Sequence, residues 1–215
     1  MEASTVRSND AVAARSPSAE GARAIVSSAI ADPAPLGLAA FALTTFVLSM
    51  FNSGLMSDAG EPIVFGLALA YGGLAQLLAG MWEFRNQNAF GATAFTSYGA
   101  FWLSFWAFEQ FYAKSVPEAH LGKAVGLYLI AWGIFTSYMI VASLRVSVAV
   151  AVVFVLLAIT FLLLGIGEAG AHESIAHLGG YFGLATAAAA WYASFAGVTN
   201  KTFGRVVLPV KELNG

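Results

Sequence analysis

Six windows in this sequence contain no Asp, Glu, Lys or Arg, and each is long enough to cross a lipid bilayer. A hydrocarbon core of about 30 Å requires about 20 mostly apolar residues in a helix. The charged residues lie in short clusters between the windows, and no loop is long enough to hold a soluble domain. This pattern predicts an all-α integral membrane bundle of six transmembrane helices. The windows cover residues 33–57, 62–82, 86–108, 124–144, 146–167 and 174–200.

The composition narrows the possible classes of function. Only 10% of the residues are charged, against about 25% in an ordinary soluble domain. The chain has no cysteine, which excludes disulfides, thiolate metal sites and cysteine nucleophiles. It has no basic patch of the kind that binds nucleic acid and no glycine loop that would cradle a nucleotide phosphate. We therefore predict no nucleic-acid partner, no resident metal and no cofactor.

The ends of the chain and its loops predict the orientation in the membrane. Residues 1–31 are rich in Ala, Ser, Arg and Glu, which is typical of a disordered tail. We predict a cytoplasmic tail over 1–31, the membrane domain over 32–200 and a second cytoplasmic tail over 201–215. With six spans, the side of the termini holds eight Lys and Arg residues and the opposite side holds two. The positive-inside rule therefore places both termini in the cytoplasm of a plasma membrane, the inner membrane in a bacterium.

The third window is the least apolar, and it carries two different stripes at helical spacing. Thr93, Ser97, Ala100 and Ser104 form a small, weakly polar stripe, and the other stripe consists of Tyr98, Trp102, Phe105 and Glu109. A helix of this kind suits either a pore wall or a contact between helices. The stripes alone leave both interpretations open.

Particular residues bear on two other classes of function, an intramembrane enzyme and a signalling or scaffold protein. His172 and His177 flank Glu173, but they are five residues apart, whereas a helical zinc protease motif places its histidines four apart on one face. An intramembrane enzyme would have only His177 and a nearby serine for catalysis, so we predict no enzyme activity and no metal site. A membrane signalling or scaffold protein, using the N-terminal tail to bind a partner, remains the alternative to a transporter.

Three segments of the sequence resemble one known family. Residues 31–38 read Ala-Asp-Pro-Ala-Pro-Leu-Gly-Leu, and residues 71–76 read Tyr-Gly-Gly-Leu-Ala-Gln. Residues 90–102 read Phe-Gly-Ala-Thr-Ala-Phe-Thr-Ser-Tyr-Gly-Ala-Phe-Trp, and residues 203–210 read Phe-Gly-Arg-Val-Val-Leu-Pro-Val. These residues resemble the acetate uptake transporters, whose bacterial members are the succinate–acetate permeases. The two middle stretches, 71–76 and 90–102, lie in the second and third windows and are counted together as one segment. The resemblance covers roughly residues 32–210.

The resemblance implies a homo-oligomer, a hexamer, in which each subunit has its own pathway for small carboxylates. In this family a narrow apolar constriction interrupts the pathway, and by motif and spacing it is formed here by Phe41, Tyr98 and Leu157. The family signature corresponds to Asp32, Pro33, Pro35 and Gly37, with Asp32 in place of the family's Asn. An ionised acid at this position would repel a carboxylate, so capping of the first helix is the expected role of Asp32.

Physical chemistry indicates what else the pathway needs. An anion loses much hydration energy in a low-dielectric medium, and the windows contain no Lys or Arg to compensate it. We therefore expect neutral donors, and an apolar constriction that gates by dewetting. The hypothesis is a channel-like or proton-linked pathway for acetate, with succinate as a further substrate. The expected polar lining consists of Gln76, Asn88, Thr96, Ser97, Thr45 and Asn52.

Overall fold

A computed structural model of the chain describes residues 30–213. It consists of six long helices, which confirms the all-α prediction. Short 3-10 turns at Asp58–Gly60 and Ala113–Ser115 lie in the connections. The predicted tail over 1–31 lies almost entirely outside the described residues. The helices are α1 (Ala34–Asn52), α2 (Ile63–Arg85), α3 (Ala89–Ala107), α4 (Glu118–Ser143), α5 (Val148–Gly170) and α6 (Glu173–Phe203).

Four of these helices are long and apolar enough to cross a membrane, counted over the residues that the structure describes. They are α1, α2, α4 and α5. The remaining two, α3 and α6, are as long as the others but carry more small and hydroxyl side chains, which lowers their mean hydropathy. Such residues are common where membrane helices contact one another. The chain is thus a multi-pass membrane protein in which the less apolar helices are held by their neighbours.

Helix boundaries differ from the predicted windows mainly at the charged ends. Helix α4 begins at Glu118, six residues before its window, and α6 continues through Lys201 to Phe203, beyond the predicted end of the membrane domain at residue 200. The windows were ended at the first charged side chain. A long charged side chain can lie in the terminal turn of a helix and extend its charged group to water. A window that ends at the first charged residue is therefore shorter than the helix it predicts.

Glycines bring α2 and α3 close together. A Cβ atom on Gly99 would lie 2.6 Å from the backbone nitrogen of Leu77, and one on Gly73 would lie 2.7 Å from a methyl of Leu103. Gly80 faces the backbone and hydroxyl of Thr96 in the same way. Small residues let membrane helices pack backbone to backbone. Within this seam α2 has a π-helical segment at Ala70–Ala75, where Gly72 accommodates the side chain of Thr44 from α1.

The order of packing leaves one side of the bundle interior unfilled. Helix α1 packs against α2 and α6, α5 packs between α4 and α6, and α3 packs mainly against α2. The backbones of α3 and α4 have few close contacts, and large aromatic side chains stand between them, including Phe101, Tyr128 and Trp132. A central space therefore lies between α3, which packs on α2, and α4, which packs on α5.

The segment after α6 is an ordered part of the fold. Helix α6 ends at Gly204, whose positive φ of 63° is easily adopted by glycine. The chain then turns back along α6, where the side-chain amide of Asn200 bonds to the backbone of Val207 and Leu208. It finally pairs with the start of α5, with Ser147 and Glu212 opposite each other. The closing motif therefore connects the last two helices.

Candidate functional site

A cavity of about 570 Å³ lies inside the bundle at the end away from the chain termini. Four helices surround it, α1, α3, α4 and α5, together with the loop before α2. Most of its lining is apolar, and none of the lining side chains is Lys or Arg. The polar and acidic side chains that line it are Thr45, Ser49, Asn52, Glu61, Glu109, Tyr128, Thr160 and Glu168, with Trp102 as a further donor.

The deep end of the cavity is closed by the residues predicted to form the constriction. Phe41 and Leu157 both line the cavity and are 5% and 3% exposed. Tyr98 is 3% exposed, and its ring lies against Phe41 with centroids 5.9 Å apart. The three side chains therefore lie in the bundle interior, in one cluster of buried apolar residues, and not on the outer surface.

Aromatic side chains extend this closure beyond Tyr98. The ring of Tyr98 contacts Phe154 at 6.0 Å and Phe135 at 5.5 Å, the latter edge to face. Phe154 in turn contacts Phe90 at 5.1 Å. Such tilted and edge-to-face arrangements are the favourable geometries for aromatic pairs. The cavity is therefore separated from the end of the bundle that carries the termini by a layer of aromatic and aliphatic side chains.

Helix α4 fixes the orientation of Tyr98. The hydroxyls of Tyr98 and Thr136 are 2.9 Å apart, and Thr136 Oγ1 donates to the carbonyl of Trp132 at 2.8 Å. A threonine hydroxyl has one proton to donate, so Tyr98 is the donor and Thr136 the acceptor of the bond between them. Sequence reasoning did not identify Thr136 as a partner of Tyr98, because nothing in the spacing of α3 and α4 sets which hydroxyls meet.

Removing either side of this hydrogen bond is expected to destabilise the protein by about 1 kcal/mol, and more where a buried group stays unpaired. Thr136→Val leaves the Tyr98 hydroxyl without an acceptor, whereas Tyr98→Phe removes the donor. Because the two changes act on one bond, the double variant should lose less stability than the sum of the single variants. Thermal unfolding in detergent of all four proteins tests this cycle. Additive losses would contradict the assignment.

The predicted polar residues divide between the cavity and other places. Thr45 and Asn52 line the cavity. Three of the predicted residues do not line the cavity. Gln76 is 1% exposed in α2, and Ser97 is partly buried. Thr96 packs against Gly80 in the seam between α2 and α3. Asn88 accepts a bond from the Gly91 backbone nitrogen at 3.1 Å and caps the start of α3. Periodicity indicated which residues share a face, but not which neighbour that face meets.

The signature residues hold the start of α1 in place. Asp32 accepts a hydrogen bond from the Ala34 backbone nitrogen at 2.9 Å, which satisfies a free donor of the first turn. Pro33 is buried, and the carbonyl of Pro35 accepts a bond from the Ser194 hydroxyl of α6 at 2.7 Å. Gly37 lies flat against Phe95, since a Cβ there would be 2.6 Å from that ring. Each of the four residues thus has a structural role.

The aromatic stripe of α3 faces the cavity, which decides between the two interpretations of that helix. Trp102, Phe105 and Glu109 line it, and Tyr98 lies beneath it. Thr93 and Ala100 of the hydroxyl stripe are exposed, whereas the hydroxyl of Ser104, at its far end, bonds to the Tyr128 hydroxyl of α4 at 2.7 Å. One side of the helix is therefore a cavity wall, and the other is available for lipid or a second subunit.

Three carboxylates at the mouth of the cavity were not identified from the sequence as a group. Glu61, Glu109 and Glu168 all line this end, and Asp58 lies near Glu61 in the sequence. Burial, together with the charges of Glu109, Asp58 and Glu168, raises the pKa of Glu61 above that of an ordinary glutamate. The residues come from three separate parts of the chain, so only the fold reveals the cluster.

The remaining ionisable candidates lie outside the cavity lining. Glu83 is fully buried, and its carboxylate accepts a bond from Asn86 at 3.1 Å near the end of α2. His177 lies 3.6 Å from the carboxylate of Glu173, and its side chain is 40% exposed. Within residues 30–213, no group of three or more His, Asp or Glu side chains could hold a metal ion.

Comparisons with known proteins find a matching family, similar sequences and a similar solved structure. The sequence profile of the GPR1/FUN34/yaaH family matches residues 16–215. The chain is 39% identical over 183 residues to the succinate-acetate/proton symporter SatP of Escherichia coli K12, covering 85% of this chain and 96% of that protein. A solved structure described as the bacterial acetate channel SatP superposes with a TM-score of 0.79 at 39% identity, covering 84% of this chain and 99% of the other.

A fungal relative extends the comparison. Acetate permease A of Emericella nidulans is 44% identical over 195 residues, which are 84% of this chain and 65% of that protein. The chain spans 62% to 65% of the lengths of the fungal relatives that it matches first.

Proposed function

Because the chain belongs to the GPR1/FUN34/yaaH family, we propose that it carries acetate, and with it succinate, across a membrane through a pathway inside each subunit. The names of the bacterial and Emericella relatives support these substrates. The observation that carries the proposal is a cavity whose lining includes buried Phe41 and Leu157, with buried Tyr98 in contact with Phe41. These three side chains form the gate of the pathway in this proposal.

The lining of the cavity fits a small carboxylate that passes without being held tightly. A fixed Lys or Arg would bind an anion strongly and slow its release, whereas weak neutral sites allow entry and exit. The cavity offers hydroxyl, amide and indole donors from Thr45, Asn52 and Trp102. Its apolar walls suit the methyl group of acetate, and its buried floor excludes water and hydrated ions.

Transport can be tested directly with the purified protein in liposomes. Uptake of labelled acetate and succinate should exceed that of empty liposomes. Electrical recording in acetate gradients at two pH values then separates the two modes of transport. A reversal potential that follows acetate alone indicates a channel, and one that shifts with pH indicates proton coupling. Absence of uptake for both substrates would contradict the proposal.

Assembly and location form part of the same proposal. We infer a hexamer in a plasma membrane, the inner membrane in a bacterium, with both termini in the cytoplasm. The apolar outer surfaces support burial in lipid or against other copies; α4, for example, exposes Leu127, Ile134 and Val141 at 63–70%. Thr93 and Ala100, in the small, weakly polar stripe of α3, also face outward and suit a contact between helices. Native mass spectrometry in lipid nanodiscs would measure the subunit number.

The acidic mouth predicts how uptake depends on pH. Because the pKa of Glu61 is raised by burial and by Glu109, Asp58 and Glu168, Glu61 binds a proton at a higher pH than a free glutamate. As the pH rises through this raised pKa, the mouth becomes more negative and repels the carboxylate. Glu61→Gln should therefore increase uptake at pH values above this raised pKa, more for succinate than for acetate, and should flatten the pH profile.

The stability of the folded protein provides the matching readout for Glu61. The pKa of Glu61 is higher in the folded protein than in the unfolded chain. Protonation of Glu61 therefore stabilises the folded state, and this stabilisation is complete at pH values below the ordinary pKa of glutamate. It is lost as the pH rises through the higher pKa of the folded state. The Gln variant should therefore lose less thermal stability than the unsubstituted protein over that window. Glu212→Gln, at an exposed carboxylate after α6 that does not line this cavity, serves as the control. Identical pH profiles for Glu61→Gln and the unsubstituted protein would refute the role of Glu61.

A further inference from the structure

Glu83 is a carboxylate buried inside the bundle, close to the end that carries the chain termini. The side chain is 0% exposed, although it lies only two residues before the exposed Arg85. Its Oε2 atom accepts a hydrogen bond from the Asn86 amide at 3.1 Å, whereas its Oε1 atom is enclosed and has no hydrogen-bond partner among the described residues. Buried polar groups are nearly always hydrogen-bonded, so the unpaired oxygen requires an explanation. An ionisable residue within a membrane helix is also a candidate for function.

No cation compensates this carboxylate within the part of the chain that the structure describes. Arg85 is exposed, and no Lys or Arg of residues 30–213 lies within ion-pair distance of Glu83. The charged side chain that acts on Glu83 is another acid, Asp32, which lies before α1. A buried charge is costly unless it is paired. The site therefore suits a carboxylate that exchanges a proton with the water at this end of the bundle.

The unpaired oxygen of Glu83 faces the start of α3. A Cβ on Gly91 would lie 2.7 Å from Glu83 Oε1 and 2.6 Å from the amide nitrogen of Asn88, the residue that caps this helix. The N-terminus of a helix carries partial positive charge, which attracts a carboxylate beside it. An ionised Glu83 therefore holds the first turn of α3 by charge, and a protonated Glu83 does so more weakly.

The same turn of α3 carries part of the layer that closes the cavity. Phe90 directly precedes Gly91, and its ring lies 5.1 Å from that of Phe154. Phe154 in turn contacts the ring of Tyr98 at 6.0 Å. The charge state of Glu83 and the position of these closing side chains are thus linked through one helical turn. A negative charge at this end also repels a carboxylate anion, and such repulsion is strong in a medium of low dielectric constant.

We propose that Glu83 is a proton-binding site at the terminus end of the bundle, and that a carboxylate passes through the pathway when Glu83 is protonated. The proton comes from water at that end and binds to Oε1, while Oε2 keeps its hydrogen bond from Asn86. The neutral acid neither repels the anion nor holds the first turn of α3 by charge. This inference rests on the proposed transport function and assigns to it a residue through which pH acts.

Acetate uptake into liposomes, measured as a function of pH and corrected for empty liposomes, tests this proposal. All variants are made in the full-length protein carrying Glu61→Gln, so that this carboxylate at the cavity mouth does not contribute to the pH profile. Glu83→Gln keeps the size of the side chain and an acceptor for Asn86, and its amide stays neutral at every pH. It should raise uptake at alkaline pH several-fold and abolish the remaining fall in uptake as the pH rises.

Two further variants separate proton binding from a purely structural role of Glu83. Glu83→Asp keeps an ionisable group at the site and should keep the pH dependence. Glu212→Gln removes an exposed carboxylate after α6 and should leave the profile unchanged. If acetate uptake is seen but Glu83→Gln keeps the pH profile of its parent, Glu83 is not the site and the transport proposal stands. Loss of the pH dependence in both Glu83 variants would show a structural role and would likewise overturn the inference.

Infrared difference spectroscopy detects the proton without transport. Acidifying the purified parent protein should produce the C=O stretching band of a buried, protonated carboxylic acid. The band should persist in Glu212→Gln and be absent from Glu83→Gln. If no acetate uptake is seen with any protein, the transport proposal fails and this band alone decides. Its loss in Glu83→Gln supports proton binding at Glu83, whereas no band, or an equal band in both variants, overturns it.

Discussion

Leu157→Ala is expected to raise acetate uptake several-fold and to raise the uptake of larger carboxylates relative to that of acetate. Leu157 is 3% exposed and lies with Phe41 at the deep end of the cavity, so truncating it opens the floor that separates the cavity from the other end of the bundle. An apolar constriction gates by excluding water, and a wider one stays wet more of the time. Uptake of labelled acetate, propionate and succinate into liposomes, measured per folded protein, tests this.

The effect of Leu157→Ala on transport has to be separated from its effect on folding. Loss of a buried leucine side chain costs about 2–5 kcal/mol of stability, so the amount of folded Leu157→Ala has to be determined first. Val155→Ala is the control, because Val155 lies on the same helix but is 41% exposed; it should leave uptake and substrate range unchanged. If Leu157→Ala leaves both flux and selectivity as they were, Leu157 is not part of the gate.

Gly99→Val is expected to prevent accumulation of folded protein. Any Cβ at this position would lie 2.6–2.8 Å from the backbone nitrogen, Cα and Cβ of Leu77. Backbone atoms cannot rotate away as a flexible side chain can, so α2 and α3 would have to separate. Overpacking of this kind costs about 3 kcal/mol or more, and separation of these helices would also displace Tyr98, one residue away from Gly99.

The same substitution at a second glycine is the control for Gly99. No heavy atom lies within 4 Å of a Cβ built at Gly66 in α2, so Gly66→Val should change stability by no more than about 0.5 kcal/mol. Yield after detergent extraction and thermal unfolding of both variants check the pair. Equal yields and melting temperatures would show that the close seam between α2 and α3 tolerates a side chain.

The fold could be predicted from the sequence because a membrane imposes a simple rule. A span must exclude charge over about 20 residues, so the windows located all six helices. Their ends could not be found in the same way. Glu118 and Lys201 lie inside helices, because a terminal charged side chain reaches water without ending the helix.

The candidate site was only partly accessible to sequence reasoning. Motif and spacing pointed to Phe41, Tyr98 and Leu157, and the structure places these side chains in one buried cluster. Spacing could not reveal that Thr136 accepts the Tyr98 hydrogen bond or that Glu61, Glu109 and Glu168 meet at one mouth. These contacts join separate helices, and a linear pattern contains no information on which faces meet.

The end of the chain completes the helix that carries Leu157. The first four backbone N–H groups of α5 have partners in Lys211, Val210, the Ser147 side chain and the Ser147 carbonyl. Two of these four acceptors are made only when translation reaches residues 210 and 211. Until that segment is in place, half of the starting turn of α5 lacks these backbone acceptors, so a stretch more than 60 residues along the chain completes the helix.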